Sequence, residues 1–143
     1  MLEVLAAITI IPVAELLLLA VRRVKILNVP PPQSLYWGEL MIYSAAGMLV
    51  ADGAQIGLRW HFYLTDMRLV WEPIVIPFLP SHLQGPQGDV TLSEMRRVHQ
   101  EMGLKFPELH IQTTEHTLRF ILEGAEPDRW VAYIHQHARN LVP

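Results

Sequence analysis

Histidine side chains are the first candidates for chemistry in this sequence, because an imidazole can bind a metal ion or carry a proton near neutral pH. The chain has seven histidines among 143 residues. His135 and His137 are two residues apart on a predicted helix, about 200° around its axis, so they cannot readily share an ion. His110 and His116 fall on or beside one predicted hairpin, several residues apart along the strand. The spacing therefore predicts no metal site.

Nucleophiles and phosphate-binding loops give no stronger signal. The chain has no cysteine, which excludes disulfides and thiolate chemistry. No serine lies in a G-x-S-x-G elbow, and no glycine-rich phosphate loop follows a predicted strand. The serines are Ser34, Ser44, Ser81 and Ser93. We therefore predict a protein that is not an enzyme and that carries no cofactor.

Charge and aromatic residues restrict the class of partner. The formal net charge is -3 and the pI is near 6.1, whereas nucleic-acid binding needs a face rich in lysine and arginine. Five aromatic residues recur at core-facing positions, which indicates packing rather than stacking on bases: Trp60, Phe62, Trp71, Phe120 and Trp130. We therefore expect no nucleic-acid partner.

A long apolar segment lies at the start of the chain. Eleven leucines, isoleucines and valines in residues 4–21 are spread around the whole circumference of a predicted helix. Eighteen helical residues rise about 27 Å, close to the roughly 30 Å of a bilayer core. Pro12 and Glu15 oppose insertion, because one removes a backbone hydrogen bond and the other is charged. The segment predicts either a transmembrane helix or a helix packed on the domain or on a second copy.

Basic and aromatic residues follow the apolar segment. If the helix spans a membrane, the basic residues that follow directly place the rest of the chain in the cytoplasm by the positive-inside rule, and two aromatic residues beyond a proline-rich linker would meet the interface. Otherwise these aromatic residues cover the domain edge. The flanking residues are Arg22, Arg23, Lys25, Tyr36 and Trp37. We predict three parts, namely residues 1–27 as helix and basic flank, 28–34 as linker and 35–143 as the folded domain.

The body of the chain shows the alternation of β-strands. Residues 40–44 predict a short strand, and the Ala/Gly-rich residues 45–57 predict an irregular connection around an Asp52-Gly53 turn. Residues 58–65 alternate between two faces, which predicts a hairpin with Asp66-Met67 in its turn. Its expected pairs are Leu64 with Leu69, Phe62 with Trp71 and, exposed on the outer face, His61 with Glu72. Residues 77–88 predict a long loop, and 89–102 a strand, a turn and a second strand.

A second hairpin and a helix complete the predicted body. The hairpin has a two-residue turn at Glu115-His116, with Leu109 paired to Leu122, Ile111 to Phe120 and Thr113 to Leu118. Its opposite face receives His110, Gln112 and Arg119, with Ile121 as the single apolar exception. Pro127 suits the first turn of a helix whose apolar face carries Trp130, Ile134 and Leu141. This helix needs an apolar surface, and an incompletely closed barrel offers one.

Several of these features together resemble the PH superfold, and more closely its GRAM and bacterial PH-like branch. The segment YLTDMRLVW, residues 63–71, is similar to that branch's L-T-x-x-R-L motif. The other features are Gly38-Glu39 opening the first strand, the segment LSEM at residues 92–95, and the late hairpin before a Trp-containing helix. The resemblance covers about residues 35–141. It implies two orthogonal antiparallel sheets with near seven strands, closed by the helix.

The resemblance also implies a domain that binds proteins, peptides or lipid headgroups. PH domains that hold phosphoinositides carry a basic cluster on their first two strands, whereas residues 45–57 contain no lysine or arginine. We therefore expect no specific phosphoinositide site. The irregular segments 45–57 and 77–88 are the expected binding loops, with the candidate residues Ala45, Asp52, Gln55, Phe78, His82 and Gln84.

The expected function is that of a non-enzymatic module, anchored to a membrane with its domain in the cytoplasm. It would bind a protein partner or a second copy of itself, with lipid contact secondary. One alternative is a soluble cytoplasmic homo-oligomer that uses the N-terminal helix as its interface. Another is a domain that binds a small ligand or a lipid headgroup.

Overall fold

The computed structural model describes residue 32 and residues 34–74, 77–78 and 87–143. Outside these residues lie the predicted apolar helix over 4–21, most of the linker, and five predicted site residues: Arg22, Arg23, Lys25, His82 and Gln84. No helix in the described part of the chain combines the length and the apolar character needed to cross a bilayer.

Seven antiparallel strands, counted over the described residues, form one curled sheet, a half-barrel that a C-terminal helix closes. They are β1 (Met41–Ala51), β2 (Ala54–Thr65), β3 (Arg68–Pro73), β4 (Gly88–Thr91), β5 (Arg97–Met102), β6 (Pro107–Gln112) and β7 (Thr117–Glu123). A 3-10 helix, Leu92–Glu94, separates β4 from β5, and the α-helix α1 spans Pro127–His137. The predicted mainly β class is confirmed. Instead of two separate sheets, hydrogen bonding runs continuously in the order β4-β3-β2-β1-β7-β6-β5.

The core fills the inner side of the sheet. Phe62 on β2 meets Phe120 on β7 edge to face, with ring centroids 5.3 Å apart, and so joins the two halves of the sheet. Trp130 and Ile134 on α1 are buried in the same core. The Trp130 ring also stacks on Tyr43 of β1, at 6.0 Å between centroids. The helix therefore covers the open side of the half-barrel with a large aromatic side chain, as its apolar face predicts.

The β2–β3 hairpin has the predicted register. Leu64 pairs with Leu69, Phe62 with Trp71 and His61 with Glu72. The interpretation of His61 as an exposed residue is wrong, because both His61 and Tyr63 are buried. Burial lowers the pKa of His61, and this effect outweighs the opposite influence of Glu72. Alternation identifies the side of a strand on which a residue lies, but it does not reveal whether that side is covered.

The prediction of an irregular connection over residues 45–57 is wrong. The strand β1 continues to Ala51 and β2 begins at Ala54, so only Asp52 and Gly53 form the turn, with φ of 50° and 83°. Small residues have a low preference for strands, but here close packing requires one of them. A Cβ atom at Gly47 would lie 1.7 Å from the carbonyl oxygen of Ile121 on β7.

The late hairpin is shifted by two residues from its predicted register. Leu109 pairs with Phe120, Ile111 with Leu118 and Gln112 with Thr117, so the connection comprises residues 113–116. The hydroxyl oxygen of Thr113 accepts hydrogen bonds from the N–H groups of Glu115 and His116, which takes Thr113 out of the strand. A shift of two residues leaves every side chain on its original side. The inward-facing pattern could not distinguish the two registers.

The helix α1 begins at Pro127, as predicted, and ends at His137. Leu141 therefore lies beyond the helix rather than on its face, although it still packs against the core. The N–H of Val142 donates to the carbonyl of Arg96, at 2.7 Å. This bond directs the end of the chain past the start of β5. The strand, single helical turn and strand predicted over residues 89–102 are confirmed by β4, the 3-10 helix and β5.

Candidate functional site

A groove lies on the outer side of β1, β7 and β6, beside the turn between β5 and β6. Alternation along these strands turns a second set of side chains away from the core. The groove has a volume of about 310 Å³. We call it the Leu104 groove, and its lining residues are Met48, Gly103, Leu104, Lys105, Phe106, Glu108, Arg119, Ile121 and Glu123.

The β5–β6 turn supplies the most exposed wall of the Leu104 groove. The N–H of Gly103 donates to the carbonyl of Phe106, at 2.9 Å, which closes the turn. Leu104 at its tip is fully exposed, and Met102 and Phe106 beside it are also exposed. A Cβ atom at Gly103 would lie 2.8 Å from the backbone carbonyl oxygen of Phe106 and 2.8 Å from a carboxylate oxygen of Glu108, so this close approach requires glycine. The turn therefore exposes the apolar side chains of Met102, Leu104 and Phe106 to water, beside the Glu108 carboxylate.

Ion pairs neutralise the charges around the groove. Arg119 donates to both carboxylate oxygens of buried Glu108, at 2.7 and 2.9 Å from Nη2. These hydrogen bonds raise the pKa of Arg119. Arg59 forms a second pair with Glu123 at the groove wall. Each arginine is thus directed to a carboxylate of its own sheet, and the surface between the two pairs is apolar, formed by Met48, Phe106 and Ile121.

Three potential metal ligands lie next to the groove. His99 on β5 is directly opposite His110 on β6, and their rings are 5.1 Å apart. Glu101 Oε2 lies 2.9 Å from His110 Nδ1 and 3.6 Å from His99 Nε2. Such chemistry was not expected from the sequence, which drew attention to other pairs of histidines. Finding it required the pairing of β5 with β6, because only that register sets residue 99 opposite residue 110.

A different polar cluster is buried under the β2–β3 turn. The guanidinium of Arg68 donates to Glu39 through Nε and Nη2, each at 3.0 Å, and to Asp89 through Nη1 at 2.8 Å. The Thr65 hydroxyl also donates to Glu39, and the Tyr36 ring lies 4.1 Å from Arg68 Cζ. We call this set the Arg68 network. Burial raises the pKa of Glu39, but hydrogen bonds from Arg68, Thr65 and the Tyr36 N–H outweigh it and leave that pKa lowered.

Exposed apolar side chains lie on the same chain segments that contribute residues to this network. The segment before β1 is attached to the β2–β3 turn because the N–H of Leu40 donates to Asp66 Oδ1, at 3.0 Å. Five exposed side chains form what we call the Trp37 rim: Tyr36, Trp37, Leu40, Met41 and Met67. Trp37 is fully exposed. The structure therefore places the predicted flanking residues Tyr36 and Trp37 at the surface, whereas their contact with a membrane stays a prediction.

The predicted binding-loop residues are dispersed. Ala45 is buried in β1, and Gln55 is exposed on β2, so neither lies in a loop. Asp52 accepts a hydrogen bond from the N–H of Thr117 and contacts His116, which links two hairpin tips. Phe78 is fully exposed, with a φ of 72°. None of these four described residues lines the Leu104 groove. The signal for that groove was Ile121, the apolar exception on an otherwise polar face.

Comparison with known proteins identifies the fold. No family model and no curated protein sequence matches the chain, so nothing supports the narrower GRAM or bacterial resemblance. The Vps36 N-terminal PH domain is similar in structure, with a TM-score of 0.53 and 14% identity over 71% of this chain and 83% of that one. The C-terminal domain of an unknown protein from Leishmania infantum has a TM-score of 0.51 and 14% identity, over 72% and 88% respectively. The chain therefore has a PH-like fold.

Proposed function

We propose that this chain is a non-enzymatic module that binds a protein partner at the Leu104 groove. The observation that carries the proposal is the fully exposed Leu104 beside a groove with an apolar floor. Protein interfaces commonly centre on apolar or aromatic anchors that enter such pockets, surrounded by a polar rim. The two ion pairs at the groove supply that polar rim.

The charges of the groove favour a protein over a phosphate-bearing headgroup. A phosphate site needs arginine or lysine donors that are available to the ligand. Here Arg119 is directed to Glu108 and Arg59 to Glu123. Lys105 adds a positive charge at the turn, but two carboxylates line the same groove. We therefore expect the partner to insert an apolar side chain between Phe106 and Ile121 and to place polar groups around it.

A random peptide library displayed on phage tests this proposal with the full chain as bait. We expect the selected peptides to share an apolar anchor residue and to bind about tenfold or more weakly to Leu104→Asp. The matched control is Phe78→Asp, because Phe78 is equally exposed and lies outside the groove lining. Peptides that bind Leu104→Asp as tightly as the unaltered chain would refute the groove as the site. Self-association that Leu104→Asp abolishes would identify the partner as a second copy.

We also propose that the module works at a membrane, on its cytoplasmic side, as the apolar residues 4–21 predict. The Trp37 rim supports this proposal, because aromatic side chains with one polar edge favour the interface between lipid and water. Four of its five residues lie within positions 36–41, soon after the predicted linker. Lipid contact would then orient the domain, while the Leu104 groove would bind the partner.

Cell fractionation tests the membrane proposal. The full chain should remain with membranes after a high-salt wash and should be released by detergent, because apolar insertion does not depend on ionic strength. A chain without residues 1–27 serves as the comparison. Recovery of the full chain in the soluble fraction without detergent would refute the tether and would leave the groove proposal unaffected.

A further inference from the structure

The outer side of β5 and β6 brings two imidazoles and a carboxylate together on a rigid support. His99 and Glu101 lie two residues apart on β5, so they share one side of the strand, and His110 occupies that side of β6. One donor atom from each side chain can be chosen so that all three lie within 4.8 Å of one another. Two paired strands fix the backbone positions of all three residues.

Two of the three separations between donor atoms are close to those of a site for a small divalent ion. A tetrahedral Zn²⁺ site with bonds of about 2.0–2.1 Å separates its ligand atoms by roughly 3.3 Å. Glu101 Oε2 lies 2.9 Å from His110 Nδ1 and 3.6 Å from His99 Nε2, on either side of that value. Small rotations of the exposed His99 and Glu101 side chains would equalise these separations. Two imidazoles and one carboxylate also form a donor set that zinc commonly uses.

A second carboxylate is positioned to orient one of the ligands. Glu108 Oε2 lies 3.7 Å from His110 Nε2, the ring nitrogen opposite the one that faces Glu101. Glu108 is buried and held by Arg119, so its position does not depend on a metal. Metal-binding histidines usually direct their other N–H to a carboxylate, which fixes the ring orientation. A small rotation of the His110 ring would bring Nε2 within hydrogen-bonding distance of Glu108 and complete such an arrangement.

An ordinary ion pair between Glu101 and His110 would leave His99 without a role in the cluster. Glu101 also lies directly opposite Glu108, where like charges destabilise a sheet, although Arg119 already pairs with Glu108. His99 contributes a second imidazole, which lies near Glu101 on the outer side of the sheet. A cation bound by Glu101 would reduce the repulsion between the two carboxylates, and it would engage both rings.

We propose that His99, Glu101 and His110 bind Zn²⁺, with the fourth coordination position open to water. Glu101 and His110 also line a second cavity, of about 440 Å³, together with Leu104 and Arg119. The open position would therefore face the same surface as the Leu104 groove. The proposal is independent of the proposed function, since the groove needs no metal and the three ligands need no partner.

Titration of the metal-free full chain with ZnCl2 by calorimetry tests the site. We expect one bound Zn²⁺ per chain, and an affinity about tenfold or more weaker in His99→Gln and in His110→Gln. The matched control is His116→Gln, because the His99 and His116 side chains are both 58% exposed and each lies beside a carboxylate. His116 lies outside the cluster, so its substitution should leave the affinity unchanged. Substitution with Co²⁺ should give the intense visible absorption of a tetrahedral site.

Two further measurements keep the test decisive. Thermal unfolding of each variant without metal establishes that it is folded, and the exposed His99→Gln carries the test if His110→Gln fails to fold. Glu108→Gln should weaken Zn²⁺ binding by about tenfold while one ion still binds per chain. Zn²⁺ affinity that is unchanged in both His99→Gln and His110→Gln, or equally reduced in His116→Gln, would overturn the site.

Discussion

The Arg68 network and the His99–Glu101–His110 cluster both join charged or titratable side chains from separate segments, but they differ in burial. Arg68 and Glu39 are 5% and 8% exposed, and the Arg68 guanidinium donates to Glu39, Asp89 and the Ser34 carbonyl. His99 and Glu101 are more than half exposed, and they have donor atoms directed into a shared space. A buried network must satisfy its members internally, whereas an exposed cluster can stay incomplete until a ligand arrives.

The sequence motif lies in the buried Arg68 network, whereas the candidate metal ligands lie in the exposed cluster. The most conspicuous motif, around Thr65 and Arg68, supplies hydrogen bonds that hold the β2–β3 turn against the segment before β1. Its polar residues therefore serve the architecture. The cluster beside the Leu104 groove belongs to no motif, yet His99 and Glu101 are exposed and, with His110, form the donor set of the proposed Zn²⁺ site. A conspicuous sequence motif can thus serve the fold, whereas residues outside any motif can form a candidate site.

The largest expected effect is a loss of stability when the buried Arg68 network is broken. Arg68→Ala should lower the free energy of unfolding by about 3–5 kcal/mol, because it leaves the buried Glu39 carboxylate without its cation. Urea unfolding measures the loss. The control is Arg97→Ala, at an exposed position on β5, which should change stability by less than about 0.5 kcal/mol. Equal losses in the two variants would contradict the structural role of the network.

Acid titration should reveal the same network through Glu39. Burial raises its pKa, but the hydrogen bonds from Arg68, Thr65 and the Tyr36 N–H leave it below the ordinary value of 4.5. The resulting stabilisation is complete above pH 4.5 and is lost as the pH falls through the lower pKa of the folded state. Glu39→Gln should therefore destabilise the fold by about 1.5–3 kcal/mol at pH 7, and by less near pH 3.

Urea unfolding of both chains across this pH range measures the difference. Glu115→Gln is the control for the change in charge, since Glu115 is exposed and outside the network. A destabilisation by Glu39→Gln that stays constant from pH 7 to pH 3 would show that the carboxylate contributes through packing and not through its charge.

Arg119 is intermediate between the buried network and the exposed cluster. It is partly exposed, but the Glu108 carboxylate that it contacts is buried. Arg119→Ala should therefore cost about 1–2 kcal/mol of stability, less than Arg68→Ala, because water can replace part of the lost donor. Urea unfolding of Arg119→Ala and Arg68→Ala in one buffer gives the ranking directly. A larger loss in Arg119→Ala would mean that burial does not govern the difference.

The sequence predicts this fold best where large side chains alternate. Where β2 and β3 pair, each apolar residue of one strand lies opposite an apolar residue of the other, so the register of Phe62 opposite Trp71 follows. The prediction fails where small residues lie opposite large ones, because Ala45 and Gly47 give a weak strand signal although they pair with residues of β2. It also fails by two residues at Thr113, where a hydroxyl that caps a turn competes with strand pairing.

The Leu104 groove and the histidine cluster beside it were harder to predict from the sequence than the fold. Ile121 signalled an apolar position on a polar face, but its neighbours Met48 and Phe106 come from other strands and a turn. The approach of His99 to His110 depends on the β5–β6 register, and residues 103–106 contain no motif that fixes their length as a turn. Pairs of residues close in sequence can be judged from spacing alone, whereas pairs across strands require the register.

The smallest expected effect on stability is that of a substitution in the exposed cluster. It tests whether this cluster differs from the buried network. His99→Ala without metal should change the free energy of unfolding by less than about 1 kcal/mol, because an exposed ion pair contributes little. Excess ZnCl2 should then stabilise the unaltered chain more than the variant, since an ion that binds only the folded state shifts the unfolding equilibrium. Thermal and urea unfolding with and without ZnCl2 measure both quantities. A loss above about 2 kcal/mol in the absence of metal would mean that His99 supports the fold as Arg68 does, and the distinction between the two regions would fail.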